Sequence, residues 1–290
     1  MLIDIIRSMR PRQWPKNAFV FVALLFDRKL FDLNSLLPVL GTFVLLCLMS
    51  GAVYLMNDLA DIESDRQHPT KRNRPLPSGR LNPRVAAAAA VLLAAFSLAA
   101  GYALSWKLAV ILLIYLLSQI AYTFRLKHVV LVDVLTIAAG FVLRIAAGVI
   151  VIEVQRFSPW LYIFGGFLAL FMALGKRRNE LVLLGGDAAN HRAILDDYSI
   201  DLIDRLLGIV TTSAVVSYSL YTFLSEGLPQ NHAMMLSIPF VLYGIFRYLY
   251  LIHIRNEGGA PEEILLRDRP FQINLLFYGL TVFVALYWLS

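Results

Sequence analysis

Uncharged apolar runs recur along the whole chain. Residues 36–56 read LLPVLGTFVLLCLMSGAVYLM and residues 85–104 read VAAAAAVLLAAFSLAAGYAL, with no charge in either. A run of 18 or more such residues is long enough to cross a bilayer core as a helix. We count nine runs, at about 17–31, 36–56, 84–104, 107–124, 129–152, 159–175, 203–224, 233–252 and 271–289, the first being short. Hydrocarbon offers backbone groups no water, so only helical bundles or closed barrels span it. These runs do not alternate polar and apolar residues as barrel strands do. Only 16% of residues are charged, where a soluble domain carries about a quarter. The expectation is an all-α polytopic membrane protein with nine transmembrane helices, in a single domain over residues 1–290.

The formal charge of +6 does not point to nucleic acid, because the charges are segregated. With nine spans, twenty Lys and Arg residues fall on the side of the N-terminal tail, and four (Arg28, Lys29, Lys107, Arg156) fall opposite. That asymmetry places the N-terminus and the long loops 57–83, 176–202 and 253–270 in the cytoplasm. Long loops gathered on one face carry function, since short connections suffice for packing. The N-terminal tail has basic residues ahead of an apolar run but no small-residue cleavage site, so it reads as leading into a retained first helix of a plasma-membrane protein. Cys47 is the only cysteine, inside an apolar run. The five histidines show no metal-ligand spacing.

One loop breaks the apolar pattern: NDLADIESDRQHPTKRNRPLPSG, Asn57 to Gly79. Asn57, Asp58, Asp61 and Asp65 fall at i, i+1, i+4 and i+8, within an arc of roughly 100° on a continuous helix. Carboxylates at that spacing repel one another, and a hard divalent cation offsets the repulsion. The four are therefore the expected Mg²⁺ ligands, with Asp58, Asp61 and Asp65 also catalytic. Glu63 points away and reads as a surface residue. The bland alternative, an acidic solvated helix end, is disfavoured by the macrodipole at a helix C-terminus.

Cations gather on the same predicted face. Lys16, Lys71, Arg74, Tyr122, Arg125, Lys127, Lys176, Arg177, Arg178 and Glu180 come from four loops. Arg suits bidentate phosphate contacts and Lys acts as a point charge. Together with metal-binding acids they suggest a phosphorylated substrate, and Lys176 is placed among the catalytic residues. Arg144 and Arg247 lie inside apolar runs, where an ionisable group faces a cavity or a partner. Arg144 reads equally well as a phosphate ligand or as part of a structural ion pair.

These motifs resemble the UbiA superfamily of intramembrane prenyltransferases. NDLADIESD at 57–65 is similar to its N-D-x-x-D-x-x-x-D motif, and RPLPSG at 74–79 to the segment that follows. The resemblance implies nine helices around a central cavity with a cytoplasmic polar cap. The superfamily's second aspartate motif is replaced here by GKRRNE at 175–180. With MRPRQWPKNAFVFVALLF, YTFRLKHVVLVDV and PEEILLRDRP, that change resembles the decaprenyl-phosphate phosphoribosyltransferase branch. The implied substrates are 5-phosphoribosyl 1-diphosphate and a polyprenyl phosphate, on a route to cell-wall arabinan in actinobacteria. The implied cofactor is Mg²⁺. A homo-oligomer is compatible with this reading. The rival readings are an aromatic-acid prenyltransferase, distinguished by the second acidic motif, and a transporter, which would show internal repeats.

Overall fold

The computed structural model describes the chain except for residues 153, 155–157, 185–192, 256, 258–263, 265–266 and 290. Arg156, Asp187 and Arg192 therefore lie outside the described residues, as does half of the PEEILLRDRP stretch. Among the described residues eight helices are long and apolar enough to cross a membrane. They are α1 (Leu33–Ala60), α2 (Pro83–Leu104), α3 (Trp106–Phe124), α4 (Val132–Val151), α5 (Pro159–Leu184), α6 (Ile200–Leu224), α7 (Ile238–Ile254) and α8 (Arg269–Tyr287). The chain divides into two compact units. One comprises Met1–Leu24, Leu30–Arg125 and Leu143–Glu153; the other comprises Leu25–Lys29, Leu126–Val142 and Val154–Ser290.

In the first unit α1 packs on α2 and α3. Asp32 caps α1 by accepting from the Asn34 amide at 3.1 Å. Asn82 caps α2 by accepting from the Arg84 amide at 2.8 Å, with Pro83 in the first turn, where no amide hydrogen is missed. Ser105 alone separates α2 from α3, in extended backbone, so the two form a tight antiparallel pair. Both keep large apolar side chains exposed, Val91, Leu92, Phe96 and Leu117 among them, as a lipid-facing surface does.

The predicted span at 17–31 is corrected. Pro11–Phe21 forms a 3-10 helix, followed by a short α-helix over Val22–Phe26. Pro15 has no amide hydrogen, and its ring obstructs an α-helical turn. The stretch nevertheless runs antiparallel along α1. Arg10 reaches Asp58, Asn17 donates to Ser50 at 3.3 Å, and the Phe21 ring packs tilted against Phe43 with centroids 5.4 Å apart. Irregular backbone at membrane depth is tolerated when protein covers it. Asn17, Val20, Ala23 and Leu24 are all buried. Gly148 on α4 makes part of this cover. A Cβ there would lie 2.1 Å from the Val20 carbonyl oxygen.

In the second unit α5 and α6 pack most extensively, and α7 packs on α6 and α8. Tyr218, fully buried on α6, shares hydrogen bonds with Ser237 (2.7 Å) and Tyr278 (3.2 Å). Asp268 caps α8 by accepting from the Phe271 amide at 2.8 Å. It also takes Arg247 of α7 at 2.8 Å, the partner that an arginine inside an apolar run requires.

Two outcomes are expected. Gly148→Ala forces a methyl group into backbone that cannot yield, so it should destabilise by about 1–3 kcal/mol, the usual range for overpacking. Thermal melting in detergent reads this, and an unchanged midpoint would contradict the close approach. The hydrogen bond from Arg247 holds the Asp268 carboxyl below its ordinary range. A depressed carboxylate stabilises the fold above its unfolded pKa of about 4, and the contribution is lost as pH falls through the folded value. Wild-type melting should therefore fall more steeply on acidification than that of Asp268→Asn; parallel curves would show that the pair contributes nothing.

Candidate functional site

The acidic loop begins where α1 bends. α1 ends at Ala60, Asp61 adopts φ −103° and ψ 12°, and a short helix covers Ile62–Gln67. The expectation of one continuous helical face is thus corrected: Asn57 and Asp58 precede the bend, Asp61 sits on it and Asp65 follows it. Two bonds of helical spacing cross it, Asp61 N–H to the Asn57 carbonyl (3.0 Å) and Asp65 N–H to the Asp61 carbonyl (2.8 Å). The bend turns Asp58 and Asp65 inward, to 1% and 2% exposure, and leaves Asn57 and Asp61 half-buried. Glu63 is exposed and pairs with Arg66 at 2.8 Å.

Buried carboxylates need cations or hydrogen bonds. Arg74 bridges the two acids, at 3.2 Å from Asp58 and 2.7 Å from Asp65. Arg10 donates to the same Asp58 Oδ1, and Lys71 lies 3.5 Å from Asp65. Arg10 has a left-handed backbone (φ 53°), a strained conformation for a residue with a side chain, and its guanidinium lies 4.7 Å over the Tyr54 ring. Arg74 opens the RPLPSG segment, which is a rigid brace. Amides of Ser78, Gly79 and Leu81 bond back to the carbonyls of Arg74, Leu76 and Pro75 at 3.0 Å. Gly79 supplies the φ of +78° that this turn requires. Leu76 and Leu81 then anchor in an apolar cluster with Met9 and Leu55.

The donor chemistry here fits a hard divalent cation. Asp58 Oδ2 is buried and accepts no hydrogen bond. A buried anionic oxygen without a donor is what a cation satisfies. Among the described residues no three acidic, His or Cys side chains converge as a ready cage. That suits Mg²⁺, which takes one or two carboxylates and completes its shell with water and substrate phosphate. Asn57, the fourth predicted ligand, has its Oδ1 engaged by the Thr123 hydroxyl.

Other predicted residues of this unit are near but not in the acid cluster. Tyr122 is half-buried beside Thr123, Arg125 is exposed at the end of α3, and Lys16 is half-buried in the 3-10 stretch. Arg144 is buried, donating to Asn17 Oδ1 (2.7 Å) and to the Tyr115 hydroxyl (3.0 Å), with its guanidinium 4.9 Å from the Tyr115 ring. Asn17 in turn donates to Ser50 and to the Cys47 sulfur.

The second unit holds the Lys-Arg-Arg segment on α5. Lys176 is exposed. Arg177 is 1% exposed and donates to Asp133 at 2.7 Å and to Glu180. Asp133, fully buried, also accepts from the Tyr198 hydroxyl at 2.7 Å, and that hydroxyl accepts from the Leu131 amide at 2.8 Å. Leu131 has φ 65°, which turns its amide toward Tyr198. Burial, followed by the carboxylate of Asp133, pushes the Tyr198 phenol above its ordinary range. Arg178 pairs with Asp204 at 2.7 Å and donates to the Ile252 carbonyl. Lys127 is half-buried in a 3-10 turn. Asp197 is exposed.

Thr123, Tyr115, Asp204 and the bracing role of Arg10 were not singled out from sequence. Arg10 carried a signal in the proline that follows it, which ends the preceding helix. The others are ordinary residues whose partners are distant along the chain.

Comparison with known proteins adds to this geometry. Decaprenyl-phosphate phosphoribosyltransferase of Mycobacterium tuberculosis is 34% identical over 289 residues, covering 98% of this chain and 95% of the relative. The protein of the same name from Mycolicibacterium smegmatis is 33% identical, covering 99% and 94%. A UbiA homolog from Archaeoglobus fulgidus, solved bound to GPP and Mg²⁺, matches with a TM-score of 0.74 over 98% of this chain and 99% of that one. At 19% identity that match speaks for the fold. Residues 18–276 match the UbiA prenyltransferase family, so this multi-pass membrane protein belongs to that family.

Proposed function

We propose that the chain, acting as one integral-membrane domain, transfers 5-phosphoribosyl from 5-phosphoribosyl 1-diphosphate to a polyprenyl phosphate such as decaprenyl phosphate. The products are polyprenylphosphoryl 5-phosphoribose and diphosphate. The observation that carries this reading is the similarity, over nearly the whole chain, to relatives named for that reaction. The residues agree with it. An aromatic prenyl transfer handles one diphosphate, whereas this one handles a diphosphate, a 5-phosphate and a lipid phosphate. Replacing an acidic segment by Lys176, Arg177 and Arg178 answers that anionic load.

Asp58, whose Oδ2 has no donor, with one of Asp61 and Asp65, would hold Mg²⁺ beside the donor diphosphate, water and phosphate completing its shell, while Asn57 stays on Thr123. The metal, when bound, neutralises charge on the leaving group. Arg10, Lys71 and Arg74 offset the charge of the carboxylates and orient them, and they stand ready for diphosphate oxygens. The C1–O bond to diphosphate breaks with its electron pair leaving on diphosphate. A lipid phosphate oxygen forms the new bond at C1 from the opposite face, inverting it. That oxygen is already anionic near neutral pH, so no general base is required. The protein contributes position and fixed charge. Lys16, Tyr122, Arg125, Lys127, Arg144 and Lys176 are assigned to the phosphates. Arg177 and Arg178, buried or half-buried on carboxylates, set the position of Lys176, with Glu180 and Asp133 as counter-charges. The basic loops and the N-terminus face the cytoplasm, where a sugar diphosphate is available.

The direct test offers purified protein radiolabelled 5-phosphoribosyl 1-diphosphate, decaprenyl phosphate and Mg²⁺, with and without EDTA. Label should enter the lipid phase only with metal. Prenylation of an aromatic acid instead would reject the reading. Asp61→Asn should lose most transfer, about 10²-fold or more, without a change in melting; normal turnover at limiting Mg²⁺ would remove Asp61 from the metal site. Lys176 and Arg177 should separate. Lys176→Ala loses transfer at unchanged melting temperature. Arg177→Ala leaves Asp133 buried and unpaired and should cost about 3–5 kcal/mol of stability. Equal melting of the two variants would show that Arg177 is no brace.

A further inference from the structure

A second polar recess lies within the second unit, at the N-terminal end of α5. It is lined by Phe26, Asp27, Arg28, Ser158, Tyr221 and Ser225, and holds about 80 Å³ of empty space. Pro159 and Lys176 are separated by 17 residues of helix, about 26 Å at 1.5 Å per residue, so the recess is distinct from the Lys176 end. Ser158 directly precedes α5 and is 9% exposed. Its hydroxyl oxygen is buried and has no hydrogen-bond partner among the described residues. Its carbonyl already accepts from the Leu161 amide at 3.1 Å. A buried hydroxyl without a partner costs about 1–3 kcal/mol unless something in the recess bonds to it.

Asp27 and Arg28 are the charged residues that line the recess. Asp27 is paired with Lys29 at 2.8 Å. Arg28 spends one N–H on the Gly227 carbonyl at 3.3 Å, which fixes its guanidinium on the rim and leaves other donors for a ligand. Arg28 holds a left-handed φ of 57°, a strain that recurs at Arg10 and Leu131, where the backbone aims a polar group. The positive end of the α5 dipole adds to the field. Phe26 stands edge-on to the Tyr221 ring at 5.5 Å and closes the apolar side. An arginine, two serine side chains and a helix N-terminus around a space of this size suit a tetrahedral oxyanion.

We propose that this recess is a phosphate-binding site, separate from the transfer reaction and independent of the reading above. The phosphate comes either from a phospholipid headgroup at the membrane surface or from free anion. The test uses full-length protein, Arg28→Gln and Ser158→Ala, all in detergent. Native mass spectrometry measures retained phosphatidylglycerol after detergent exchange, and thermal melting measures the response to inorganic phosphate. Wild type should retain the lipid about ten-fold better than Arg28→Gln and about five-fold better than Ser158→Ala, as loss of a charged and a neutral hydrogen bond predict. If phosphate alone stabilises wild type and not the variants, the free anion is the ligand. Equal lipid retention and equal phosphate response in all three proteins overturn the site. Ser158→Ala removes a hydroxyl that holds no framework contact, so it decides the matter if Arg28→Gln does not fold.

Discussion

A carboxylate removed from water must meet cations, donors or a metal, or give up its charge. Asp58, Asp65 and Asp133 are nearly or fully buried at helix ends, and much of the structure around them exists to meet that requirement. The RPLPSG brace brings Arg74 to two acids at once. The left-handed turn at Arg10 delivers a second guanidinium to Asp58. On α5, Arg177 is buried to match Asp133. The arrangement concentrates fixed charge of both signs in places that hydrocarbon borders, and this is the environment in which electrostatic catalysis is strongest.

Much of this was legible in the sequence because it follows from local pattern. Length and apolarity of the runs identify all eight long helices, since lipid leaves few other solutions. The acidic loop stands out against uncharged flanks. What was not legible depends on contacts between residues far apart in the chain. Asp61 marks a bend because the chain after it folds back under Arg74, and helical periodicity alone carries no sign of that. Arg177 and Lys176 are neighbours of the same charge, yet one is buried on Asp133, forty-four residues away, and the other is exposed. Their spacing on a helix suggests they differ in direction but not which one faces in. Arg144 and Asp133 share a face of α4 but lie about 16 Å apart along it, and each finds its partners elsewhere: Asp133 takes Arg177 and Tyr198, and Arg144 takes Asn17 and Tyr115.

The family relationship and the physical reading support each other at different levels. The fold follows from apolar runs and from likeness to a solved UbiA homolog. The chemistry follows from which charges are spare after the fold has used the rest. In the Lys-Arg-Arg segment Lys176 is exposed while Arg177 and Arg178 are engaged by Asp133 and Asp204, so three cations that look equivalent in sequence differ in how far the fold has already used them.

The 3-10 course of Pro11–Phe21 bears on how the protein is made. A membrane α-helix satisfies its own backbone and can enter lipid as soon as it leaves the ribosome. This stretch lacks the regular four-residue ladder and two of its amide hydrogens, and it lies against α1 and Gly148. Gly148 is synthesised 128 residues after Val20. This contact therefore forms only after α4 has been made, although the stretch itself is made early. The Pro11–Phe21 stretch is fitted against α1 and Gly148 of α4 once both are in place.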